Sequence, residues 1–513
     1  MHVEVLAVEP RPIGSAANDA AERYIAETLE TLGWEVSKQR TTRRDVLGDG
    51  ALVDVTNVVG RSFGTSSTGS IVLIAHYDTV PQTPGANDNG AAVGALLETA
   101  RALHAGLSLT NDITLLFTDG EEPIGRAGAM AFLADRSIAS TTALVVNLGA
   151  GGGSGPALLA EVSGPNDWMI AELAAASTEA VGFSALTAVT ARLGDIGTDF
   201  DPFRNSGFAG FHFAYARGAP IYHTAADSIE ALGRDSLQHQ GSLALGISSH
   251  FGDLNLDQAF ESGSRVDFFT VGPWFIHYPG PLTSIGLVAA LVGLLAVLAI
   301  RHRSGLRAPT VLAAMGRLGV VVIAATIAGT LVWMVVAGAR PTVGVFESYL
   351  YLATIVGALA AAGWLALRRT SSAGNAYATV GMWLTFAALS AAAIPGAAYV
   401  FVWPALVAVA VLLADIAGRR LVPLMRLALV AAPAVLLTVP VIDSFFIFAQ
   451  PRPGNADTEK LFTIAVPLLF AFLLVALVAA FRPARSTRGA LAQPEPLATN
   501  SVLKTSLVSS SSS

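Results

Sequence analysis

The sequence contains no cysteine and only three lysines, and charged residues of either sign are scarce. The absence of cysteine excludes disulfide bonds and thiolate ligands, so any metal site must be built from His, Asp and Glu. The lysines, Lys38, Lys460 and Lys504, stand far apart, and the net charge is -7. Nucleic acid is therefore excluded as a partner, because phosphate binding needs clustered basic residues.

Apolar residues are abundant and unevenly distributed. They make up 53% of the 513 residues, against 13% charged, and the mean hydropathy is +0.56. This composition is too apolar for an ordinary soluble protein of this length. We therefore predict a globular domain at 1–265, a linker at 266–280, a membrane domain at 281–482 and a disordered cytoplasmic tail at 483–513.

Seven stretches are long and apolar enough to cross a lipid bilayer as helices: 281–300, 318–338, 346–367, 377–394, 398–416, 427–448 and 461–481. Arginine is concentrated in alternate loops, which predicts a multi-pass protein with a cytoplasmic C-terminus and an extracytoplasmic or lumenal globular domain. The first residues form no basic and apolar export signal, so we expect an export helix upstream of this sequence.

Strand-like and helical segments alternate in the globular half. Apolar runs begin near residues 71, 113, 143 and 209, and helical patterns lie at 15–33, 91–103, 126–134 and 228–249. The alternation predicts an α/β fold, a three-layer sandwich around a mostly parallel central sheet. Sites in such folds gather at the carboxyl ends of the strands.

Polar side chains with metal-binding chemistry follow those strands. They are His76 and Asp78 after the first run, Asp88 in PGANDNG, Glu121 and Glu122 after the second run, and His223 in YHTAAD. Each alone is explained by turn chemistry or a local hydrogen bond. Together they supply imidazole and carboxylate ligands and a spare carboxylate, which is the inventory of a catalytic zinc site.

Four ordered motifs, PRPIGSAANDAA, HYDTVPQTPGANDNGAAVGALLETARAL, FTDGEEPIGRAGA and IYHTAADS, resemble the co-catalytic zinc aminopeptidases of clan MH. The likeness covers roughly residues 8–235. It extends to the membrane-bound branch of that family, which includes endoplasmic reticulum metallopeptidases and vacuolar membrane proteases and combines a soluble domain with a multi-span region.

The resemblance implies a role for each motif residue. Glu122 and His223 would bind the first zinc, Asp88 would bridge both ions, and His76 would bind the second. Glu121 would be the general base toward a zinc-activated water. Asp78 would orient His76, and Tyr222 would donate to the tetrahedral intermediate.

One residue departs from the family pattern. The family has Asp or Glu two residues after the Asn of an Asn-Leu-acid motif, whereas the stretch VVNLGAGGGSG has Gly149 there. The first zinc keeps three ligands, so one zinc is expected and two remain possible, with water or Glu161 as a substitute ligand. Glutaminyl cyclases of the same fold, which are thought to use one zinc, offer a precedent. A phosphate-binding loop is disfavoured, since neither the dinucleotide nor the P-loop spacing is present.

The motifs predict a membrane-anchored zinc metallopeptidase, an aminopeptidase acting on peptide or protein substrates. One alternative is a catalytically impaired domain used for binding or membrane assembly. Another is an accessory domain of a transporter, for which the intramembrane acids Asp415 and Asp443 are candidate residues. His212 lies in an apolar strand and is predicted to be a core residue outside the site.

Overall fold

A computed structural model describes residues 2–44, 50, 52–106, 108–122, 125–164, 166–176, 179–257, 263–339, 357, 372–418, 423–448, 466, 468 and 469. Eight strands form one sheet in the order β1-β2-β4-β3-β5-β8-β6-β7. Their bounds are β1 Glu35–Arg44, β2 Leu52–Ser62, β3 Ser70–His76, β4 Asp112–Thr118, β5 Thr142–Ala150, β6 Leu158–Ser163, β7 Val181–Gly182 and β8 Gly210–Tyr215.

The four central strands, β4, β3, β5 and β8, run parallel, as predicted. The sheet as a whole is mixed, because β1, β2 and β6 add antiparallel pairings. In the parallel centre His76 pairs with Thr118, and Ile74 pairs with Asn147. The polar segments that follow β3, β4 and β5 therefore meet at one edge of the sheet.

Nine helices accompany the sheet among the described residues of the globular domain: α1 His2–Leu6, α2 Ala16–Thr31, α3 Ala92–His104, α4 Ala127–Ala134, α5 Arg136–Ala139, α6 Asn166–Ala175, α7 Ser184–Leu193, α8 Phe200–Asn205 and α9 Arg234–Phe251. Helix α2 begins where predicted, because the Ser15 side chain accepts a hydrogen bond from the Asn18 amide. Helix α9 begins later than predicted, since Ile229–Ala231 forms a separate 3-10 turn.

Alternate residues of β3 face two different clusters of buried side chains. Leu73 packs in a cluster with residues of α2, α3 and α9, whereas Val72 packs in a cluster with residues of α4 and α8. Successive side chains of a strand point to opposite faces. The sheet is thus covered on both faces, which makes the domain a three-layer sandwich.

Residues 266–280, predicted as a linker, form a two-stranded antiparallel sheet of β9 Val266–Val271 and β10 Trp274–Pro279. Its segments VDFFTV and WFIHYP are rich in β-branched and aromatic residues, which favour strands, and Gly272 and Pro273 separate them. This sheet connects the globular domain directly to the first apolar helix.

Five described helices are long and apolar enough to cross a membrane. They are α10 Pro281–Arg303, α11 Ala308–Ala339, α12 Ser372–Ala393, α13 Tyr399–Ile416 and α14 Pro423–Phe448. They correspond to five of the seven predicted spans. The other two, 346–367 and 461–481, lie outside the described residues apart from four isolated positions, and so does the predicted tail.

The globular domain packs on one end of these helices. Ser184 of α7 donates a hydrogen bond to the carbonyl of Gly396, between α12 and α13, at 2.8 Å. The ring of Phe269 stacks on that of Tyr399, with centroids 5.2 Å apart. Buried residues of β6 and α7 join one cluster with residues of α10, α12 and α13. The two parts of the chain therefore share a continuous core.

Candidate active site

His76 is the last residue of β3, and Asp78 lies just beyond it. Nδ1 of His76 lies 3.2 Å from the Asp78 carbonyl oxygen and 3.6 Å from its Oδ1. The Asp78 side chain is fully buried, and its two oxygens accept from the backbone amides of Glu121 and Glu122, at 3.2 Å each. Asp78 therefore holds together the segments that follow β3 and β4.

Asp88 lies in the turn predicted from PGANDNG and is only 4% exposed. Its backbone amide donates to Oδ2 of Asp227 at 3.0 Å, and Asp227 also accepts from the amide of Asn87. The turn begins at Gly85, whose φ of +65° suits glycine. Asp227 thus fixes the backbone that presents the Asp88 carboxylate.

The Asp88 carboxylate lies between two histidines. Oδ1 is 3.4 Å from Nε2 of His76, and Oδ2 is 3.4 Å from Nε2 of His223. Nε2 of His223 is also 2.8 Å from Oε1 of Glu122. The structure therefore brings together the four residues that the sequence predicts as metal ligands.

This geometry fits a metal ion. Ligand atoms of His76, Asp88 and Glu122 lie within 4.8 Å of one another, and His223 approaches two of these residues. Oδ2 of Asp88 is buried and accepts no hydrogen bond from any described residue. Imidazole nitrogens and carboxylate oxygens are ligands that zinc prefers in the absence of thiolates. The sequence predicts Asp88, Glu122 and His223 as one set of three ligands, and their side chains lie next to one another here.

The site concentrates buried negative charge. Burial raises the pKa of Glu122 to about 7 and the pKa of Glu121 well above its usual range. Burial opposes a charge on His223, but the carboxylates of Asp88 and Glu122 beside its ring raise its pKa to about 10. Such a cluster of carboxylates needs positive charge, which protonated histidines or a divalent cation can supply.

Glu121 and Tyr222 line the same pocket as His76 and Asp88. Glu121 follows Gly120, whose φ of +71° turns the chain after β4. The Tyr222 ring stacks on that of His223, with centroids 3.7 Å apart. Both residues predicted to act on the substrate therefore face the pocket that His76, Asp88 and Glu122 also line.

Gly149 also lines this pocket, near the end of β5. The segment 149–155, here called the glycine segment, therefore lies at the site, where the family pattern has an acid. Glu161, the predicted substitute, is paired with Arg204 and is not among the described residues that line the pocket. The structure gives it no part in the site.

His212, predicted to lie in the core outside the site, is buried but lines the pocket. Nδ2 of Asn147 donates to its Nδ1 at 3.0 Å, and its ring stacks on Phe200. Burial lowers the pKa of His212 to about 4, so the ring is neutral at physiological pH. His212 is thus buried, as predicted for a core residue, and it also borders the pocket, because an inward-facing residue near the end of a strand can border both.

Three further polar residues near the site were not predicted. Arg11 lies in the motif PRPIGSAANDAA, and Asp227 lies in the motif IYHTAADS. Their positions in these motifs are the only indication of a role that the sequence provides. Asp199 follows no motif, yet it is 2% exposed, its Oδ2 accepts from Thr118, and its Oδ1 accepts from no described residue. Burial raises the pKa of Asp199 to about 6. Its closeness to the site depends on contacts that the sequence does not reveal.

Comparisons with known proteins agree with this site. The family model described as Peptidase family M28 matches residues 57–248. Endoplasmic reticulum metallopeptidase 1 of Mus musculus is 27% identical over 302 residues, which cover 55% of this chain and 34% of that protein. The vacuolar membrane protease of Eremothecium gossypii is 27% identical over 298 residues, 54% of this chain and 29% of that protein.

A shorter relative, aminopeptidase YwaD of Bacillus subtilis, is 29% identical over 184 residues, 34% of this chain and 39% of that protein. The chain thus matches about a third of the length of the curated relatives. The matched residues include all four convergent residues that the sequence predicts as ligands, and the strand ends that carry them. At residues 57–248 the chain therefore contains a domain of peptidase family M28.

Proposed function

We propose that the chain is a membrane-anchored zinc metallopeptidase that releases N-terminal residues from peptide or protein substrates. The observation that carries the proposal is the convergence of Asp88, Glu122 and His223 beside a pocket that Glu121 lines. The relatives named metallopeptidase, membrane protease and aminopeptidase support it. The aminopeptidase assignment rests on YwaD and on the family resemblance.

When bound, zinc would polarise the scissile carbonyl and make water more acidic. Glu121 accepts the proton of the attacking water and passes it to the leaving amine. Asp78 holds the amides of Glu121 and Glu122 and so fixes the base relative to the ligand residues. The Tyr222 hydroxyl donates to the oxygen of the carbonyl under attack.

We assign one tightly bound zinc to Asp88, Glu122 and His223, since three protein ligands leave a position open for catalysis. His76 and the shared Asp88 are the remaining candidates for a second ion. With Gly149 in place of an acid, this second set has two protein ligands and binds more weakly. We therefore expect the purified protein to contain close to one zinc ion per chain.

The test uses the full chain, purified in detergent, with zinc content and hydrolysis of an aminoacyl reporter as readouts. Glu121→Gln is expected to lower kcat about 10²- to 10⁴-fold, the usual contribution of a general base, while zinc content stays unchanged. An N-acetylated reporter should resist cleavage, because an aminopeptidase needs the free amine.

Glu172→Gln is the matched control, since Glu172 pairs with His250 at 2.7 Å on α6 and α9 and is not among the described pocket residues. Absence of zinc, or hydrolysis that is indifferent to Glu121→Gln, would reject the peptidase in favour of a binding module. A transporter would retain flux in Glu121→Gln, which distinguishes the accessory-domain alternative.

We also propose that the globular domain lies outside the cytoplasm and the C-terminus inside it. The absence of native cysteine makes the test direct. Ser66→Cys in the domain and Ser304→Cys between α10 and α11, both at exposed positions, can be labelled in intact cells with a membrane-impermeant maleimide. Labelling of Ser66→Cys alone is expected, and the reverse pattern would invert the topology.

A further inference from the structure

A charged contact joins the globular domain to α14. Nη2 of Arg217, two residues beyond β8, lies 2.5 Å from Oδ2 of Asp443. Asp443 belongs to the apolar stretch 428–445, where an acid is costly unless it is paired. The pair therefore compensates the acid at this end of α14 and ties Arg217 to that helix. This pairing gives Asp443 a structural role, as an alternative to the role in transport that the sequence suggests.

The backbone of Arg217 is bonded to the glycine segment. The amides of Gly153 and Ser154 both donate to the Arg217 carbonyl, at 2.8 and 3.0 Å, and the Arg217 amide donates to the Ser154 carbonyl at 3.0 Å. A Cβ at Gly152 would lie 2.5 Å from the Arg217 carbonyl oxygen, and one at Gly153 would lie 2.5 Å from Cδ1 of Ile221. The glycines thus allow the segment to pack against residues 216–221.

The same residues lead directly to the ligand His223. From Arg217 the chain passes through Gly218, with φ +74°, and a 3-10 turn at Ala219–Ile221. Tyr222 and His223 follow, and His223 has the unusual φ of +57° for a residue other than glycine. Ala216, at the start of this connection, is buried in the cluster that contains Tyr399 of α13. The segment that carries His223 is therefore held at its beginning by the membrane helices.

From this geometry we infer that the Arg217–Asp443 pair positions His223 for zinc, which makes α14 part of the support of the active site as well as an anchor. Arg217 and Asp443 are positioning residues, since they act through the connection 217–223 and the glycine segment. The inference rests on the proposed zinc peptidase function.

The experiment titrates zinc against a competing chelator in the full chain in detergent, and measures kcat and KM at limiting and saturating zinc. Arg217→Ala and Asp443→Ala are each expected to weaken zinc binding about fivefold, the scale of one partly exposed ion pair. Saturating zinc is expected to restore kcat. A purely structural loss would lower thermal stability without this dependence on zinc.

Two further variants test the pair itself. The charge-reversed double variant, Arg217→Asp with Asp443→Arg, and the conservative Arg217→Lys should both bind zinc with close to wild-type affinity. Arg101→Ala is the matched control, because it removes the Arg101–Glu98 pair within α3 and is expected to leave zinc binding unchanged.

Wild-type zinc affinity in both single alanine variants would overturn the inference. A loss of affinity that neither the double variant nor Arg217→Lys recovers would also overturn it. Zinc binding is measured without substrate, so failure of the proposed peptidase activity would appear separately, as absence of hydrolysis in the wild type.

Discussion

Apart from its chain neighbours, the nearest described atom to a Cβ built at Gly149 is Cε1 of His212, at 3.3 Å, and no other atom of the described residues is within 4 Å. A side chain at this position therefore requires the neutral imidazole of His212 to shift by a few tenths of an ångström. Gly149 has ordinary backbone angles, since its φ lies outside the left-handed region. A longer side chain there can extend into the pocket that His76 and Asp88 also line.

Gly149→Glu is expected to raise the zinc content toward two per chain, because it restores a carboxylate beside His76 and Asp88. Elemental analysis of the purified chain, together with a zinc titration, measures the change. Gly106→Glu is the matched control, since a Cβ there meets no atom within 4 Å in the part of the chain that the structure describes, its chain neighbours aside, and Gly106 is not among the described residues that line the site pocket. An unchanged ratio in Gly149→Glu would mean that another group already serves the second ion.

Because His212 is buried as a neutral ring, the folded chain is expected to lose stability in mild acid. Burial lowers its pKa to about 4 in the folded chain, against an ordinary value of 6.5 for histidine. The unfolded chain therefore binds the extra proton first, so the stability due to the neutral ring is complete above pH 6.5 and is lost as the pH falls toward 4. At pH 5 the loss is about 2 kcal/mol. The carboxylate of Asp201 and the cation of Arg204 also act on the ring, in opposite directions.

His212→Gln keeps an acceptor for Asn147 but cannot be protonated. Its melting temperature is expected to fall less than that of the wild type between pH 7.5 and pH 5. His277→Gln serves as the control, because His277 lies in β10 on an exposed part of the strand. Equal acid sensitivity of the His212→Gln and wild-type chains would contradict this assignment.

Asp199→Asn is expected to stabilise the zinc-free chain and to impair catalysis. The pKa of Asp199 is about 6, raised by burial from 3.8, so its ionised form costs about 3 kcal/mol of folding free energy above pH 6. Asparagine retains an acceptor for Thr118 without that charge. A buried acid beside Glu121 that lowers the stability of the fold by this amount is typical of a functional site. Melting at pH 8 and kcat with zinc are the measurements, and a variant that is less stable and fully active would contradict both expectations.

Arg11→Met is expected to lower the free energy of unfolding by about 3–5 kcal/mol, because it leaves buried carbonyl groups without donors. The Arg11 side chain is 2% exposed and donates to the carbonyls of Leu6, Tyr77, Pro84 and Gly85. Denaturant unfolding of the chain, followed by tryptophan fluorescence, measures the loss. Arg101→Met, at an exposed position on α3, should change stability little. A similar loss in both variants would show that Arg11 has no special role.

The strands that carry the ligands could be predicted because each is a short, continuous apolar run that ends in a polar motif. His76 and Glu122 illustrate this, since a parallel arrangement places such strand ends side by side. The outer strands β1 and β2 were harder to recognise, because a segment such as EVSKQRTTRR has few apolar residues. Residues 266–280, which form the β9–β10 sheet, have the position of a linker in the sequence, since they directly precede the first long apolar run.

The contacts that complete the site could not be predicted from the sequence, for a different reason. Asp199 lies 78 positions from Glu121 in the sequence, and Arg204 of α8 pairs with Glu161 of β6. Nothing in local spacing indicates such pairs, since they depend on how the helices close over the sheet. The role of the glycines at 152 and 153 likewise follows only from the close approach of residues 216–221.

Arg217 and Asp443 are separated by 226 positions in the chain. This separation sets the interval between the synthesis of the two residues. The ribosome completes the globular domain and α10 to α13 before it adds Asp443. At about 5–20 residues per second the interval is about 10–45 s. Throughout that interval Arg217 has been synthesised and Asp443 has not. Membrane insertion of α14 is therefore the event that completes the Arg217 contact, and a nascent chain released earlier carries the domain without it.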